Sequence, residues 1–433
     1  MNIRPLLLFM VVSLGIASGV SALEWGIESA TTLQSGNSPS PPSVFTQEVF
    51  GTLTVPLGPP GSKLEATAHV LGSVASSEFG ADFDVLDLIW ALPKPGSDFQ
   101  ALTGTIGRFA LTDPSGLILN HSGDGLKLAG DYKGFDLSLW AAYTGFVNRS
   151  STSGILMTLQ DEANSANWFD SPRLIASLEV GVTLFTAQRV TLGALAQYDM
   201  NSSSNFLSPG STSYTTSQGG SLNTQYFTFK AEGPIAGSLL YKAFGTLGTG
   251  STLSWVSGSY QYEPILAFLL GGELSYYFPG SLEPVLKARV LAASGDPSAT
   301  SAVEGNIRTT ETLFQPITAS TLGTVFSPAL SNLIDYEIGG SLRPWAGQGL
   351  VTGIKFLGFQ RQVAGVVNAS DVLTEGPVWI GEELDLTGSW QVYSDFIVSA
   401  SLGGFVPNSG TYPSGSAEDG LQYALELAVD LKL

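Results

Sequence analysis

An alternation of apolar and polar residues runs through almost the whole chain and limits its possible folds more than any other feature. In the last thirteen residues, Leu421 to Leu433, every odd-numbered residue is apolar and the even-numbered ones are Gln, Ala, Glu, Asp or Lys. The same period of two recurs at 174–184 and 334–342. Because side chains alternate between the two faces of a β-strand, each segment predicts a strand with one apolar and one polar face.

The connectors between these segments fall into two classes that alternate along the chain. Short connectors with turn sequences lie at 56–62, 93–96, 132–134, 186–189, 233–237, 279–281, 344–347 and 393–395. Long connectors rich in Ser, Thr, Asn and Gly lie at 34–44, 76–81, 112–123, 147–171, 201–222, 246–262, 294–333, 363–378 and 406–419. Counting strands between them predicts 16 to 18 antiparallel strands, with 18 preferred.

An all-β transmembrane barrel explains this plan better than soluble β-sandwiches do. So many strands would need two or three sandwiches with visible boundaries, and the texture from residue 23 to 433 shows none. A closed barrel pairs every backbone polar group and turns its apolar face to lipid. We therefore expect one outer-membrane β-barrel over 23–433, with short periplasmic turns, long extracellular loops and a lumen lined by the polar face.

The two ends of the chain fit export to a bacterial outer membrane. Residues 1–22 read as a signal peptide, with Arg4, an apolar stretch from Leu6 to about Val20, and small residues before a predicted cleavage after Ala22. At the other end, Leu421 to Leu433 would be the last strand, which barrel-assembly machinery reads; a terminal aromatic residue is commoner there than Leu433.

The composition excludes several function classes. Without the signal peptide the chain carries 17 basic and 37 acidic residues, a net charge of −20, so nucleic acid is not an expected partner. There is no cysteine and hence no thiolate metal site. The aspartates at 82, 84 and 87 alternate with apolar residues and lack a calcium-loop glycine, which favours a lumen face over a metal site. We expect no metal and no cofactor.

Catalysis would have to use one of the two histidines, His69 and His121. His69 shares a predicted strand face with Lys63 and Glu65, which indicates a polar lumen residue. His121 lies close to Asp124 at a predicted loop, and this leaves a surface hydrolase of the Asp–His type open as a minor alternative. The chain is expected not to be an enzyme.

The polar strand faces supply the candidate pore-lining residues. These are Lys127 and Asp131 on one strand, Lys287 and Arg289 on another, Asp335 and Glu337 on the next, then Lys355 with Arg361, then Glu383 and Asp385. Two interpretations stay open. Opposed charges can set up a transverse field that orients solutes and selects ions, or the same residues can simply form pairs with their neighbours.

The segment from Gly107-Arg108 through a loop of some fifteen residues to Asp124-Gly125 resembles the alginate-export and carbohydrate-porin type of outer-membrane barrel. The resemblance covers roughly 40 of the 433 residues. It implies a monomeric 18-stranded channel for a polar or sugar-like solute, with Arg108 in the lumen and Asp124-Gly125 shaping a loop. The chain departs from the type in being acidic, which argues against an anionic polysaccharide and favours a neutral or cationic solute.

The functional expectation is a channel for passive passage of small polar solutes. The alternative is an adhesin or structural barrel that acts through its extracellular loops. The loop at 294–333 is long enough to fold into the lumen as a constriction.

Overall fold

The computed structural model describes residues 24–432 except 38–42, 58–59, 74–78, 95, 149–153, 159, 162–167, 185–186, 203–205, 213–219, 301–304, 346, 368–372 and 374–376. The predicted signal peptide and Leu433 lie outside the described residues. Within these ranges, no helix has the length and apolar character needed to cross a membrane.

The described chain forms one antiparallel sheet that closes on itself. It has 18 strands: β1 Glu24–Gly36, β2 Ser43–Pro56, β3 Lys63–Ser73, β4 Phe79–Ala91, β5 Phe99–Thr112, β6 Asn120–Tyr132, β7 Phe135–Tyr143, β8 Arg173–Leu184, β9 Gln188–Asp199, β10 Asn223–Ala236, β11 Leu239–Val256, β12 Ser259–Tyr277, β13 Val285–Ala293, β14 Ile334–Leu342, β15 Leu350–Gln360, β16 Trp379–Tyr393, β17 Phe396–Pro407 and β18 Gln422–Lys432. Each strand pairs with the next in sequence, and β1 pairs with β18 from Glu28↔Lys432 to Gly36↔Ala424. The predicted barrel and its preferred strand number are confirmed.

Short turns join the strands at one end of the barrel and longer loops join most of them at the other, as expected. We name three of the longer loops L3 (113–119, between β5 and β6), L4 (144–172, between β7 and β8) and L7 (294–333, between β13 and β14). One predicted loop is wrong. Residues 246–262 extend β11 and β12 into a hairpin that pairs as far as Val256↔Ser259, because the Ser, Thr and Gly residues that suggested a loop also fit a paired strand.

The outer surface of the barrel is apolar. On β18 the odd-numbered side chains are exposed, from 49% for Tyr423 to 37% for Val429, while Gln422 and Ala424 on the other face are buried. Large exposed apolar side chains recur around the ring, among them Leu126, Leu139, Leu178, Phe229, Leu286, Ile338 and Leu386. This is the arrangement that hydrocarbon stabilises, and the predicted direction of the apolar face is confirmed.

The interior differs from the uniformly polar lumen that alternation predicted. Near the long loops, the inward residues of many strands are apolar and buried, for example Phe109, Leu111, Trp140, Ile175, Leu195, Tyr226, Leu269, Phe359 and Phe405. They pack against apolar residues of L3 and L7, including Ile118, Leu119, Phe314, Ile317 and Phe326. The expectation of a polar interior is therefore wrong for this half, where inward residues meet folded loops instead of water.

The orientation of β18 can be tested with one pair of substitutions. Leu427 faces outward at the middle of the strand and its neighbour Ala428 faces inward. Leu427→Arg should lower the free energy of unfolding in lipid vesicles by about 2–4 kcal/mol, because it places a charge against hydrocarbon. Ala428→Arg is the matched control and should have the smaller effect; equal effects would contradict the assigned faces.

Candidate functional site

Loop L7 crosses the lumen and reaches the far wall. The backbone N–H groups of Ile317 and Thr318 donate to the carbonyl oxygen of Ile118 in L3, at 2.9 and 3.0 Å. Strands β13 and β14, which carry L7, lie eight places around the 18-strand ring from β5 and β6, which carry L3, so the two loops come from nearly opposite walls. The loop at 294–333 does fold into the lumen.

The inner wall holds L7 through charged side chains of β15 and β16. The Glu383 carboxylate accepts the N–H groups of Val325 (2.7 Å) and Phe326 (2.8 Å). Beside it, Asp385 accepts the N–H of Thr324 at 3.3 Å. Lys355 bridges the two elements, since its Nζ donates to the Leu322 carbonyl at 2.7 Å and pairs with Asp385 at 3.2 Å.

Loop L3 also folds inward. The buried Asp113 carboxylate accepts the N–H groups of Ile118 (2.9 Å) and Leu119 (3.0 Å), which closes the loop into a compact turn. Its tip contacts the wall six strands further round the ring, where Lys242 Nζ on β11 donates to the Ser115 carbonyl at 3.4 Å. Sequence reasoning missed this contact because it predicted a loop at 112–123 without any partner for Asp113.

Below these loops the lumen is open to water, as the inward face of β16 shows. Glu383 and Asp385 on that face are 1% and 0% exposed under L7, whereas Thr387 and Ser389, next along the same face, are exposed. There a recess of about 240 Å³ is lined by residues of β15 to β18, which are Thr387, Ser389, Ser399, Ser401 and Glu426 together with Val351, Gly388, Ala400 and Ala428. The constriction thus occupies the long-loop half and a hydrated vestibule the short-turn half.

Most of the predicted pore-lining charges form ion pairs between neighbouring strands. Arg289 on β13 pairs with Asp335 (3.0 Å) and Glu337 (2.6 Å) on β14. Lys287 lies 3.6 Å from Glu337 and 3.1 Å from Glu273 on β12. Together with the Lys355–Asp385 pair, these contacts show that the residues belong to one polar band on the inner wall, with much of their charge neutralised locally.

A charge difference between opposite walls remains. Glu28, Glu48, Glu65 and Asp87 of β1 to β4 face inward with Glu426 of β18 and outnumber the lysines of this wall; we call this set the acidic wall. Lys63 pairs with Glu65 at 2.7 Å and Lys432 with Glu28 at 3.2 Å. Across an 18-strand ring, β10 and β11 lie nine places from β1 and β2, and they carry the inward Lys230 and Lys242. These lysines were missed at the sequence level, although the alternation of Lys230 with apolar Phe229 could have identified the first.

The remaining predicted residues of this group lie nearer to the short turns or at loop bases. Lys127 on β6 is close enough to Asp87 and Glu179 to interact electrostatically. Asp131 stands opposite Asp136 in the β6–β7 register, next to the turn. Arg361, just beyond β15, is buried and donates from Nη1 to the Pro377 carbonyl at 3.1 Å.

Arg108 takes a place that the sequence did not suggest. In the alternation of β5, Arg108 belongs to the same outward set of residues as Ile106. Its side chain lies in the barrel wall and not in the lumen. Its guanidinium binds Asp82 of β4 (2.6 Å) and Asp124 of β6 (2.8 Å). Asp124-Gly125 lies inside β6, which begins at Asn120, so the expectation that it shapes a loop is wrong.

The histidine that left catalysis open has a different partner from the expected one. His121 Nε2 lies 3.3 Å from Asp170 Oδ2 of L4, and both side chains are at most 1% exposed. A substrate therefore has no access to this pair in this structure. Among the residues that the structure describes, no cluster of three or more His, Asp or Glu could hold a metal ion.

A buried carboxyl pair lies inside L7. Burial raises the pKa of Glu311 to about 8, and the nearby Asp296 charge adds to this. Burial also opposes ionisation of Asp296, but hydrogen bonds from Asn306 and from the N–H groups of Ser298 and Thr312 outweigh it and lower its pKa. Glu311 thus stays protonated at neutral pH and hydrogen-bonds the ionised Asp296.

Comparison with known proteins bears on the fold alone. No family model matches the chain, and no curated protein sequence matches it. Solved structures do. The outer membrane protein OpdK of Pseudomonas aeruginosa is 12% identical with a TM-score of 0.59, and the match covers 96% of this chain and 99% of OpdK.

Two further neighbours come from the same organism. OccK2 (OpdF), solved in complex with glucuronate, is 12% identical with a TM-score of 0.57, over 96% of this chain and 98% of that one. OprD is 10% identical with a TM-score of 0.56, over 96% of both. The chain has the fold of these outer-membrane barrels. The resemblance drawn from the Gly107-Arg108 segment is confirmed at that level.

The Glu311–Asp296 pair predicts that L7 loosens as the pH rises towards 8. A carboxyl whose pKa is raised on folding stabilises the folded loop at low pH, and this contribution is lost between its ordinary pKa of 4.5 and the folded-state value of about 8. Trypsin cleavage after the exposed Arg308 should accelerate as the pH rises towards that value and level off above it. The Glu311→Gln side chain stays neutral and keeps a donor for Asp296, so the pH dependence of its cleavage should be that of trypsin activity alone. The same pH dependence in wild type and variant would contradict the role assigned to Glu311.

Proposed function

We propose that the protein is a bacterial outer-membrane channel through which small polar solutes diffuse, with L7 and L3 setting the size limit. The observation that carries this is the two-part lumen: a vestibule with exposed inward side chains below Asp385 and a zone filled by folded loops above it. A barrel that served only as a support for surface loops would not need its loops held across the lumen by wall carboxylates.

The solutes that fit best are small and neutral or cationic. The acidic wall attracts cations, and the recess at Ser389 and Ser401 combines hydroxyl-bearing and apolar residues, which suits a sugar-like molecule. The glucuronate bound by OccK2 supports a solute of that size. We further propose, as the sequence predicted, that Leu421 to Leu433 is the segment that the assembly machinery recognises.

Removing L7 tests the channel directly. Replacing residues 298–330 by a short Gly-Ser link should raise single-channel conductance in planar bilayers, because the loop crosses the lumen. The double variant Glu383→Gln, Asp385→Asn keeps L7 and weakens its attachment, so we expect larger or more frequent openings.

Wild-type protein that folds into a heat-modifiable barrel and gives no conductance steps would overturn the proposal. That outcome would favour the alternative of a surface barrel acting through its loops. An unchanged conductance in both L7 variants would contradict the assigned constriction.

Ion selectivity tests the charged walls. Lys242→Glu should increase the preference for cations over anions, measured as a shift in reversal potential under a salt gradient, because it removes a positive charge facing the acidic wall. Lys133→Glu makes the same charge change in a periplasmic turn, where the side chain is 63% exposed, and should have the smaller effect. Equal shifts would mean that net charge, and not the lumen, sets selectivity.

A further inference from the structure

The barrel wall is incompletely paired between β4 and β5. Their ladder contains six register pairs, from Leu86↔Arg108 to Ala91↔Thr103, although the strands are 13 and 14 residues long. Beyond the last pair, β4 continues to Phe79 paired only with β3, and β5 continues to Thr112 paired only with β6. We call the space between 79–85 and 109–112 the seam; on its β5 side it is about 13 Å tall.

The backbone on both sides is shaped to end the ladder there. Gly107 has φ of +123°, and a Cβ at this position would collide with the Leu86 carbonyl oxygen. On β4 the register shifts opposite Thr67 and Ala68, which leaves Asp84 without a partner residue in β3. A glycine at an unusual φ and a bulge are the usual means of turning strands apart.

One arginine closes the seam. Arg108 Nη1 donates to Asp82 Oδ1 (2.6 Å) and to the Phe83 carbonyl (3.0 Å), both on β4. Its Nε and Nη2 donate to Asp124 on β6, and Nη2 also donates to the Phe146 carbonyl of L4 at 2.9 Å. All the donors of the guanidinium are thus used, and the two on Nη1 join β5 to β4 where these strands lack backbone hydrogen bonds. The Gly107-Arg108 and Asp124-Gly125 motif is the core of this closure.

The start of L4 lies across the same place as a strap. Besides the Phe146 contact, the Asn148 N–H donates to Asp82 Oδ2 at 2.5 Å. Further along, Leu156 N–H donates to the Ile317 carbonyl of L7 at 2.9 Å. L4 therefore contacts both the seam and the constriction.

The surroundings of the seam are apolar on both sides. Outside, Phe83, Leu86 and Ile106 are 37–47% exposed on the lipid-facing surface. Inside, Phe109 and Leu111 belong to the apolar core in the half of the lumen near the long loops. A polar solute would lose its hydration on leaving through such a wall, whereas an apolar one would be stabilised by hydrocarbon.

From this geometry we propose a second route: the seam is a lateral portal through which small apolar molecules pass between the lumen and the outer leaflet, and Arg108 with Asp82 and Asp124 is its latch. This goes beyond passage of polar solutes along the barrel axis. It requires that the barrel lies in a membrane, but not that the axial channel conducts.

The test measures uptake of N-phenylnaphthylamine, an apolar fluorophore that brightens in hydrocarbon, by intact cells whose outer leaflet slows its arrival. Cells with the wild-type protein should take it up faster than cells without it, and Arg108→Gln should raise the rate several-fold. The matched control is Arg189→Gln, which breaks another arginine–aspartate pair, with Asp136 at 2.6 Å, in a part of the wall where β7, β8 and β9 are fully paired. It should leave the rate unchanged.

A reversible lock distinguishes an opened seam from a damaged barrel. The chain has no cysteine, so Val85→Cys and Phe109→Cys can be added to Arg108→Gln and joined by a short bis-methanethiosulfonate. Cross-linking should return uptake to the wild-type rate, and reductant should release it, while axial conductance stays the same throughout.

Uptake that stays high after cross-linking, or that rises equally in Arg189→Gln, would overturn the portal. Should Arg108→Gln give no heat-modifiable barrel, Asp124→Asn removes one latch contact at a side chain that is already 32% exposed and is read in the same assay. An unchanged rate in the folded latch variant would equally overturn the proposal.

Discussion

The requirement that backbone polar groups be paired in hydrocarbon governs the whole structure. A sheet has two unpaired edges, and only closure removes both. The β1–β18 ladder provides this closure, and the ring of 18 strands then encloses a space too wide for inward side chains alone to fill. The proposed function depends on which loops and side chains fill that space and on how much of it stays open.

The two halves of the lumen are filled in different ways. Near the long loops, L7 and L3 enter and bury apolar residues such as Phe314 and Ile118 against inward side chains of the wall. Backbone groups of the entering loop need partners there, and Glu383, Asp385 and Lys355 provide them. Near the short turns no loop enters, so inward side chains stay polar and meet water. The boundary between the halves is where size and charge can be selected.

The sequence predicted the parts of the fold that depend on local periodicity. Strand number, the lipid-facing side and the position of the long loops follow from alternation and turn composition, and Leu425 and Leu427 face as expected. The apolar lining of the lumen near the long loops could not be predicted from the sequence. An inward Phe109 or Trp140 has the same local sequence pattern whether water or a loop lies opposite it. Arg108 was placed in the lumen by the family resemblance, which does not show that the β4–β5 ladder ends beside it. Contacts between distant segments, such as the contact of Lys242 with L3, produce no periodic pattern in the sequence.

The contact between L7 and L3 across the lumen is the point on which this account depends most. Because the chain has no cysteine, a cysteine pair at Ile118 and Ile317 can report on it in intact cells, and both positions are adjacent through the 2.9 Å backbone hydrogen bond. We expect a near-complete disulfide under mild oxidation, seen as a shift in electrophoretic mobility of the unfolded protein. A folded, membrane-inserted barrel in which the pair remains reduced would contradict it.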